Sequence, residues 1–303
     1  MNPLISSMDI GTNTARLLIG RLSSGIIERT HISRSITRLG GGFSRESGIS
    51  REAADRTVEA IAGFATTLDN LGVKTYRAVA TSAVRDAVNS DQFCSEILAK
   101  TGIKLEVISG DEEGVLTLSG VISGLDIVPS RSILFDVGGG STEYTVAQGE
   151  SIIFTKSLPL GVVRLTEGKG SVDRMEEKIK RELLQLKEEM RNQGVLTSLE
   201  GATLIGTAGT ATTLAAISIA LKDYDYTKVN NMTITRERIA DILSTLIPLT
   251  PEKRLERVVG LEKGREDLIV AGTLLTLNTM DMLGFDQMKV SDFGLLEGVL
   301  LSI

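Results

Sequence analysis

Two segments of this chain follow one plan. DIGTNTARLLIG, from Asp9, and DVGGGSTEYTVAQG, from Asp136, each read as a strand end, an aspartate, a turn of glycine and small hydroxyl residues, a second strand and a glycine turn. They lie 127 residues apart, the length of a domain rather than the period of a solenoid repeat. A chain with this duplication is confined to two halves of one design, and we expect them to face each other across a cleft. The expected division is a first domain over residues 1–125, completed by a closing helix 294–303, and a second over residues 126–293.

The rest of the pattern agrees. Short β-rich runs (Ala15–Leu22, Ile26–Thr37) separated by glycine turns predict an antiparallel meander after the first loop. Ser50 predicts an N-cap for a helix from Arg51 to Leu71, with Ala54, Val58, Ile61 and Ala65 at helical spacing. Strands at Lys74–Ala80 and Lys104–Ser109 and helices at Ser90–Lys100 and Gly110–Ser123 complete the first half. The second half adds strands at Arg131–Asp136, Thr142–Ala147 and Ser151–Ser157. A charged amphipathic helix (Val172–Asn192), a strand (Thr203–Gly206) and a helix from Thr210 follow. Helices at Arg236–Leu246, Pro251–Val258 and Arg265–Leu283, a strand (Met288–Ser291) and a closing helix from Gly294 end the chain. The class is α/β with mixed sheets.

Composition narrows the chemistry. The 303 residues carry one Cys, Cys94, and one His, His31, so Cys/His zinc sites within the chain and structural disulfides are excluded. Lack of disulfides suits a reducing cytoplasm. His31 falls in a strand-like stretch and reads as structural, which leaves carboxylates, hydroxyls, backbone amides and a hard metal ion. A net charge of −6 argues against a nucleic-acid-binding surface. The N-terminal stretch has no signal-peptide pattern. Residues 202–221 carry no charge, yet Gly206 to Thr210 break them into strand, turn and helix start, so no membrane span is expected.

In both Asp-led loops, glycines let backbone N–H groups converge on phosphate oxygens, hydroxyls add donors, and each Asp can hold Mg²⁺. Gly206–Thr213 (GTAGTATT) is a third small-residue turn, lacking the lysine of a Walker loop. Its alternatives are phosphate or nucleotide at a helix N-terminus and close helix–sheet packing. Asp111, Glu112 and Glu113 open a helix, where they satisfy the helix dipole or supply a general base for water. Glu143, at the end of the second loop, could hold water or metal. Arg16, Arg38, Arg85, Arg164, Lys169 and Arg265 stand beside small-residue turns, as phosphate clamps would.

DIGTNTAR, ATSAVRDA (from Ala80), VISGDEEG (from Val107), FDVGGGSTE (from Phe135), SLPLGVVRLTE (from Ser157) and GTAGTATTLAA (from Gly206) occur in that order, followed by REDLIVAG (from Arg265) and SDFGLLEG (from Ser291). Together these blocks resemble the exopolyphosphatase / guanosine pentaphosphate phosphohydrolase family, within the actin-like, sugar-kinase and heat-shock ATPase superfamily. The resemblance implies two actin-like (ribonuclease H-like) domains with mixed five-stranded sheets flanking an interdomain cleft. It also implies Glu113 as catalytic base, with Glu112 the adjacent competitor, and Asp136 and Glu143 in Mg²⁺ and water positioning. Gly138, Gly139, Gly140 and Ser141 would form one phosphate-binding loop, and Asp9, Gly11, Thr12 and Asn13 the opposing one, Asp9 also serving the metal. Arg85 would contact phosphate.

One departure stands out: Leu296 occupies a position where the family usually has Arg. The chain also looks like the short, two-domain form, without the C-terminal helical domain of longer relatives. The implied reaction is Mg²⁺-dependent release (another divalent ion such as Mn²⁺ being the substitute) of terminal orthophosphate from inorganic polyphosphate, with domain closure about residues 123–131. The alternatives are pppGpp hydrolysis on the same site, an ATP-dependent kinase of the same fold, and a sensor that binds without turnover. The implied assembly is a cytoplasmic homodimer, with no nucleic-acid or membrane partner.

Overall fold

The computed structural model describes residues 2–44 and 46–303. Internal contacts divide the chain into two compact units, Met1–Ser123 with Gly294–Ile303, and Gly124–Phe293.

The first unit opens with β1 (Ile5–Ile10), β2 (Thr14–Ser23) and β3 (Ile26–Ile36), an antiparallel meander. It continues with α1 (Arg51–Asn70), β4 (Thr75–Ala80), α2 (Ser82–Arg85), α3 (Ser90–Thr101), β5 (Glu106–Val107) and α4 (Gly110–Gly124). Strand order is β3-β2-β1-β4-β5, with β1, β4 and β5 parallel. α1 starts where expected because the Ser50 side chain accepts a hydrogen bond from the Ala53 amide. Its buried positions Ala54, Val58, Ile61 and Leu68 recur at helical spacing and pack on Met8, Ile10, Leu17 and Ile19 of the sheet. β5 is shorter than expected. Ile103 and Leu105 are buried in the core rather than laddered, and only Glu106 and Val107 pair with β4.

The second unit repeats the meander as β6 (Ser132–Val137), β7 (Thr142–Gln148) and β8 (Ser151–Leu158). Then come α5 (Val162–Lys169), α6 (Val172–Asn192), β9 (Thr203–Thr207), α7 (Ala208–Ser218), α8 (Tyr226–Val229) and β10 (Thr233–Thr235). The last elements of this unit are α9 (Arg236–Leu246), α10 (Pro251–Arg257), α11 (Ile269–Leu283) and β11 (Gln287–Val290). Strand order is β10-β11-β9-β6-β7-β8, so this sheet has six strands where five were expected; the addition is the three-residue edge strand β10. α6 spans the residues predicted, its Met175, Ile179, Leu183, Leu186 and Met190 all turned to the core. α11 begins four residues later than predicted, because Leu268 and Ile269 first close a turn on the Arg265 carbonyl. Its interior is buried on every side; the hydroxyls of Thr273 and Thr276 bond back to the Ile269 and Gly272 carbonyls at 2.7 and 2.9 Å, and that of Thr279 pairs with the Tyr144 hydroxyl at 2.7 Å. The uncharged 202–221 stretch resolves into β9 and α7, and among the described residues no helix is long and apolar enough to cross a membrane.

The last helix, α12 (Leu295–Leu301), belongs to the first unit and covers the sheet face opposite α1. Leu296 packs with Leu18 and Leu300, and its carbonyl accepts a 2.6 Å hydrogen bond from the Ser7 hydroxyl. The position where the family usually places Arg is therefore filled by apolar packing in this chain. Glu297 caps its own helix through the Gly294 amide at 2.8 Å and pairs with Arg29 of β3 at 2.8 Å, both side chains buried. α12 crosses α4 at backbone contact, since a Cβ on Gly298 would overlap the Leu116 carbonyl. Gly298→Ala should therefore cost about 1–3 kcal/mol by overpacking. Thermal unfolding checks this, and a melting point unchanged from wild type would contradict the close crossing.

Candidate functional site

Each unit builds its Asp-led loop in the same way. In the first, Asp9, one residue before the end of β1, lies opposite Arg16 of β2, and the Gly11 amide closes the turn on the Thr14 carbonyl at 2.9 Å. In the second, Asp136 lies opposite Glu143, and the Gly138 amide closes on the Ser141 carbonyl at 3.0 Å. The amides that follow, Thr12 and Asn13 in one loop and Gly139, Gly140 and Ser141 in the other, donate to no protein acceptor among the described residues. A short turn with one internal bond leaves the N–H groups that follow it without a protein acceptor.

The first loop is held from several sides. The Gly40 amide donates to the Thr12 carbonyl at 2.8 Å and the Arg38 amide to the Asn13 carbonyl at 2.9 Å. Thr12 and Ser82, both buried, share a 2.9 Å hydroxyl–hydroxyl bond that ties the loop to the start of α2. Arg16 donates to Asp9 Oδ2 through Nε at 2.9 Å and Nη2 at 2.5 Å. The buried Asp9 Oδ1 and Asn13 Oδ1 accept no hydrogen bond among the described residues. A buried acceptor left in this state costs free energy unless a ligand supplies the missing partner.

The acidic helix start separates its carboxylates by environment. Glu113 is 7% exposed, and its Oε2 lies 3.1 Å from Arg85 Nη1, which also donates to the Ile108 carbonyl at 3.0 Å. Glu112 instead pairs at 2.8 Å with Arg77, in a surface network that includes Glu106 and Ser302. The Arg77 pKa is raised: burial pulls it down, but hydrogen bonds and charge from Glu112 and Glu106 outweigh that. Glu112 is thus already engaged elsewhere.

In the second unit the glycine loop is braced by α5, whose Val162 and Val163 amides donate to the Gly138 and Gly139 carbonyls at 3.0 and 2.9 Å. Gly161 permits this, since a Cβ there would overlap the Gly139 carbonyl. Glu143 is 2% exposed and accepts a 2.7 Å hydrogen bond from Ser157. Asp136 and Glu143 are cross-strand neighbours on one sheet face. Like charges placed so are unfavourable without a compensating positive charge.

The other candidates divide. Of the arginines expected on phosphate, Arg16 bonds the Asp9 carboxylate, and Arg85 bonds the Glu113 carboxylate and the Ile108 carbonyl. Arg265 lies against Gly209 at the start of α7 and bonds Glu262 at 2.9 Å, while Gly206 packs on Met288 and Phe135. That arrangement favours close packing at GTAGTATT. The side chain of Lys169 lies outside the described residues. His31 pairs with Ile19 midway along the β2–β3 ladder, away from the loop. The partnerships of Ser82 with Thr12 and Ser157 with Glu143 were not foreseen, although both serines stand in the blocks that carry the resemblance. Among the described residues no group of three or more His, Cys, Asp or Glu is arranged to hold a metal ion.

Comparison with known proteins places this geometry. The chain is 32% identical over 99% of its length to a bifunctional 3-dehydroquinate synthase/phosphatase of Fusobacterium nucleatum, of which it spans 46%. It is 31% identical to exopolyphosphatase 2 of Mycobacterium tuberculosis, covering 99% of this chain and 98% of that one. The crystal structure of the Ppx/GppA family member of Aquifex aeolicus superposes with a TM-score of 0.80 at 30% identity, covering 99% of this chain and 97% of that one. The model of the Ppx/GppA phosphatase family matches residues 18–303, from β2 onward. With two mixed-sheet units of actin-like design and a family match over nearly its whole length, the chain belongs to the Ppx/GppA phosphatase family.

Proposed function

We propose that this protein is an exopolyphosphatase that releases terminal orthophosphate from inorganic polyphosphate. The observation that carries the reading is the pair of loops with amides left for an anion, Thr12–Asn13 and Gly139–Ser141. Preorganised donors of this kind stabilise the charge on a transferring phosphoryl group without reorganising during reaction. The names of the Mycobacterium tuberculosis and other relatives agree with this substrate class.

In the proposed reaction, water attacks the terminal phosphorus, the bridging P–O bond breaks, and Glu113 takes the proton. Arg85, at 3.1 Å from Glu113, orients that carboxylate and would contact phosphate. Asp9 and Asn13, each with a buried oxygen lacking a hydrogen bond, and the facing pair Asp136 and Glu143 fit a hard cation that prefers oxygen ligands. Mg²⁺ held by the pair Asp136 and Glu143, or by Asp9 in its own unit, would supply charge neutralisation at the phosphoryl oxygens. The same residues serve the 5′-terminal phosphate of pppGpp, the second substrate to be compared.

Phosphate release from short polyphosphate, long polyphosphate, pppGpp and ATP, measured in parallel, tests the reading. Release from polyphosphate is expected, selective release from pppGpp would move the activity to that nucleotide, and silence on all four would sink the hydrolase. Glu113→Gln should lower the rate by about 10²–10⁴-fold, the usual worth of a general base, while polyphosphate still binds. Glu112→Gln should stay within about threefold of wild type, because surface pairs contribute little. The reverse ranking would transfer the base to Glu112. EDTA should abolish release and added Mg²⁺ restore it; undiminished turnover in EDTA would remove the metal from the reaction.

A further inference from the structure

We infer that Ser157 is a positioning residue that sets the orientation of Glu143, an inference resting on the role proposed for Glu143. The register of β7 and β8 places Glu143 directly opposite Ser157, and that of β6 and β7 places it opposite Asp136. Glu143 thus occupies the middle of a three-strand row, with a carboxylate on one side and a hydroxyl on the other. Ser157 Oγ donates to Glu143 Oε1 at 2.7 Å. That length is usual for a hydroxyl bonded to an ionised carboxylate.

The contrast with the first unit gives the row its meaning. There the residue opposite Asp9 is Arg16, which orients that carboxylate and also neutralises it. Ser157 orients Glu143 without cancelling its charge. A neutral donor at one oxygen opposes rotation of the side chain and adds no positive charge of its own. The next pair on the same face of the ladder, Thr145 with Thr155 two residues along, also meets through hydroxyls, at 3.2 Å, and holds no carboxylate. It serves as an internal control, because it shares the strands and the type of contact without the charged group.

The test compares steady-state phosphate release from polyphosphate by wild type, Ser157→Ala, Ser157→Thr, Thr155→Ala and Glu143→Gln, well below their melting temperatures. Ser157→Ala is expected to lose about 10- to 100-fold in kcat with KM within about threefold, as when the partner orienting a site carboxylate is removed. Ser157→Thr keeps a hydroxyl on a strand-compatible side chain and should recover most of kcat. Thr155→Ala, which removes only the neighbouring bond, should stay within about twofold of wild type. Ser157→Ala at the wild-type rate, Ser157→Thr as impaired as Ser157→Ala, or Thr155→Ala falling equally far would each overturn the proposal. Glu143→Gln separates the two levels. If it turns over like wild type, the role of Glu143 fails and takes that of Ser157 with it. If it is inactive while Ser157→Ala is unimpaired, only the assignment of Ser157 is wrong. A wild type silent on polyphosphate overturns both.

Discussion

Everything proposed for this protein depends on how a strand ends. At the close of β1 and of β6 the chain must reverse within four residues, and one backbone bond accomplishes it: Gly11 to the Thr14 carbonyl, Gly138 to the Ser141 carbonyl. Spending a single bond on the reversal leaves the next amides without protein acceptors. In a globular protein such groups are ordinarily paired. Here no protein acceptor is at hand among the described residues, and the phosphate proposed above would supply one. The supporting contacts, Gly40 on Thr12 and the start of α5 on the glycine loop, keep these turns open.

The two copies of the turn have diverged in charge at one position. Seven residues after the aspartate, paired with it across the hairpin, the first copy has Arg16 and the second has Glu143. The first aspartate is held by a guanidinium at one oxygen, while its other oxygen stays buried and lacks a hydrogen bond. The second lies opposite another carboxylate, where the first has a guanidinium. Duplication thus yields two loops that are alike in backbone and unlike in electrostatics.

What could be read from the sequence follows from the range of the interactions. α6 and α1 were legible because their buried residues repeat at the period of the helix and serine caps mark their starts. The duplicated loops were legible as composition, and the family blocks named Glu113 over Glu112. The separate environments of those two glutamates depend on Arg77 and Arg85, which come from a different strand and helix. The bond of Ser157 to Glu143 depends on the register of β8, which has a shift between Val146 and Ala147 that no local pattern announces. Short elements such as α2, α5 and β10 escaped because three to eight residues carry too little periodicity, and their positions come from the packing around them.

The return of α12 to the first unit has a consequence for how the molecule is made. The first sheet is complete once β5 has been synthesised, yet one face stays without Leu295, Leu296, Val299 and Leu300 until residues 294–303 emerge. Arg29, deep in that face, meanwhile waits for Glu297. A ribosome releasing this chain from the N-terminus therefore finishes the second unit before the first can close. The half that begins first is the half that folds last, and its exposed apolar face is in the care of the cell for the whole interval.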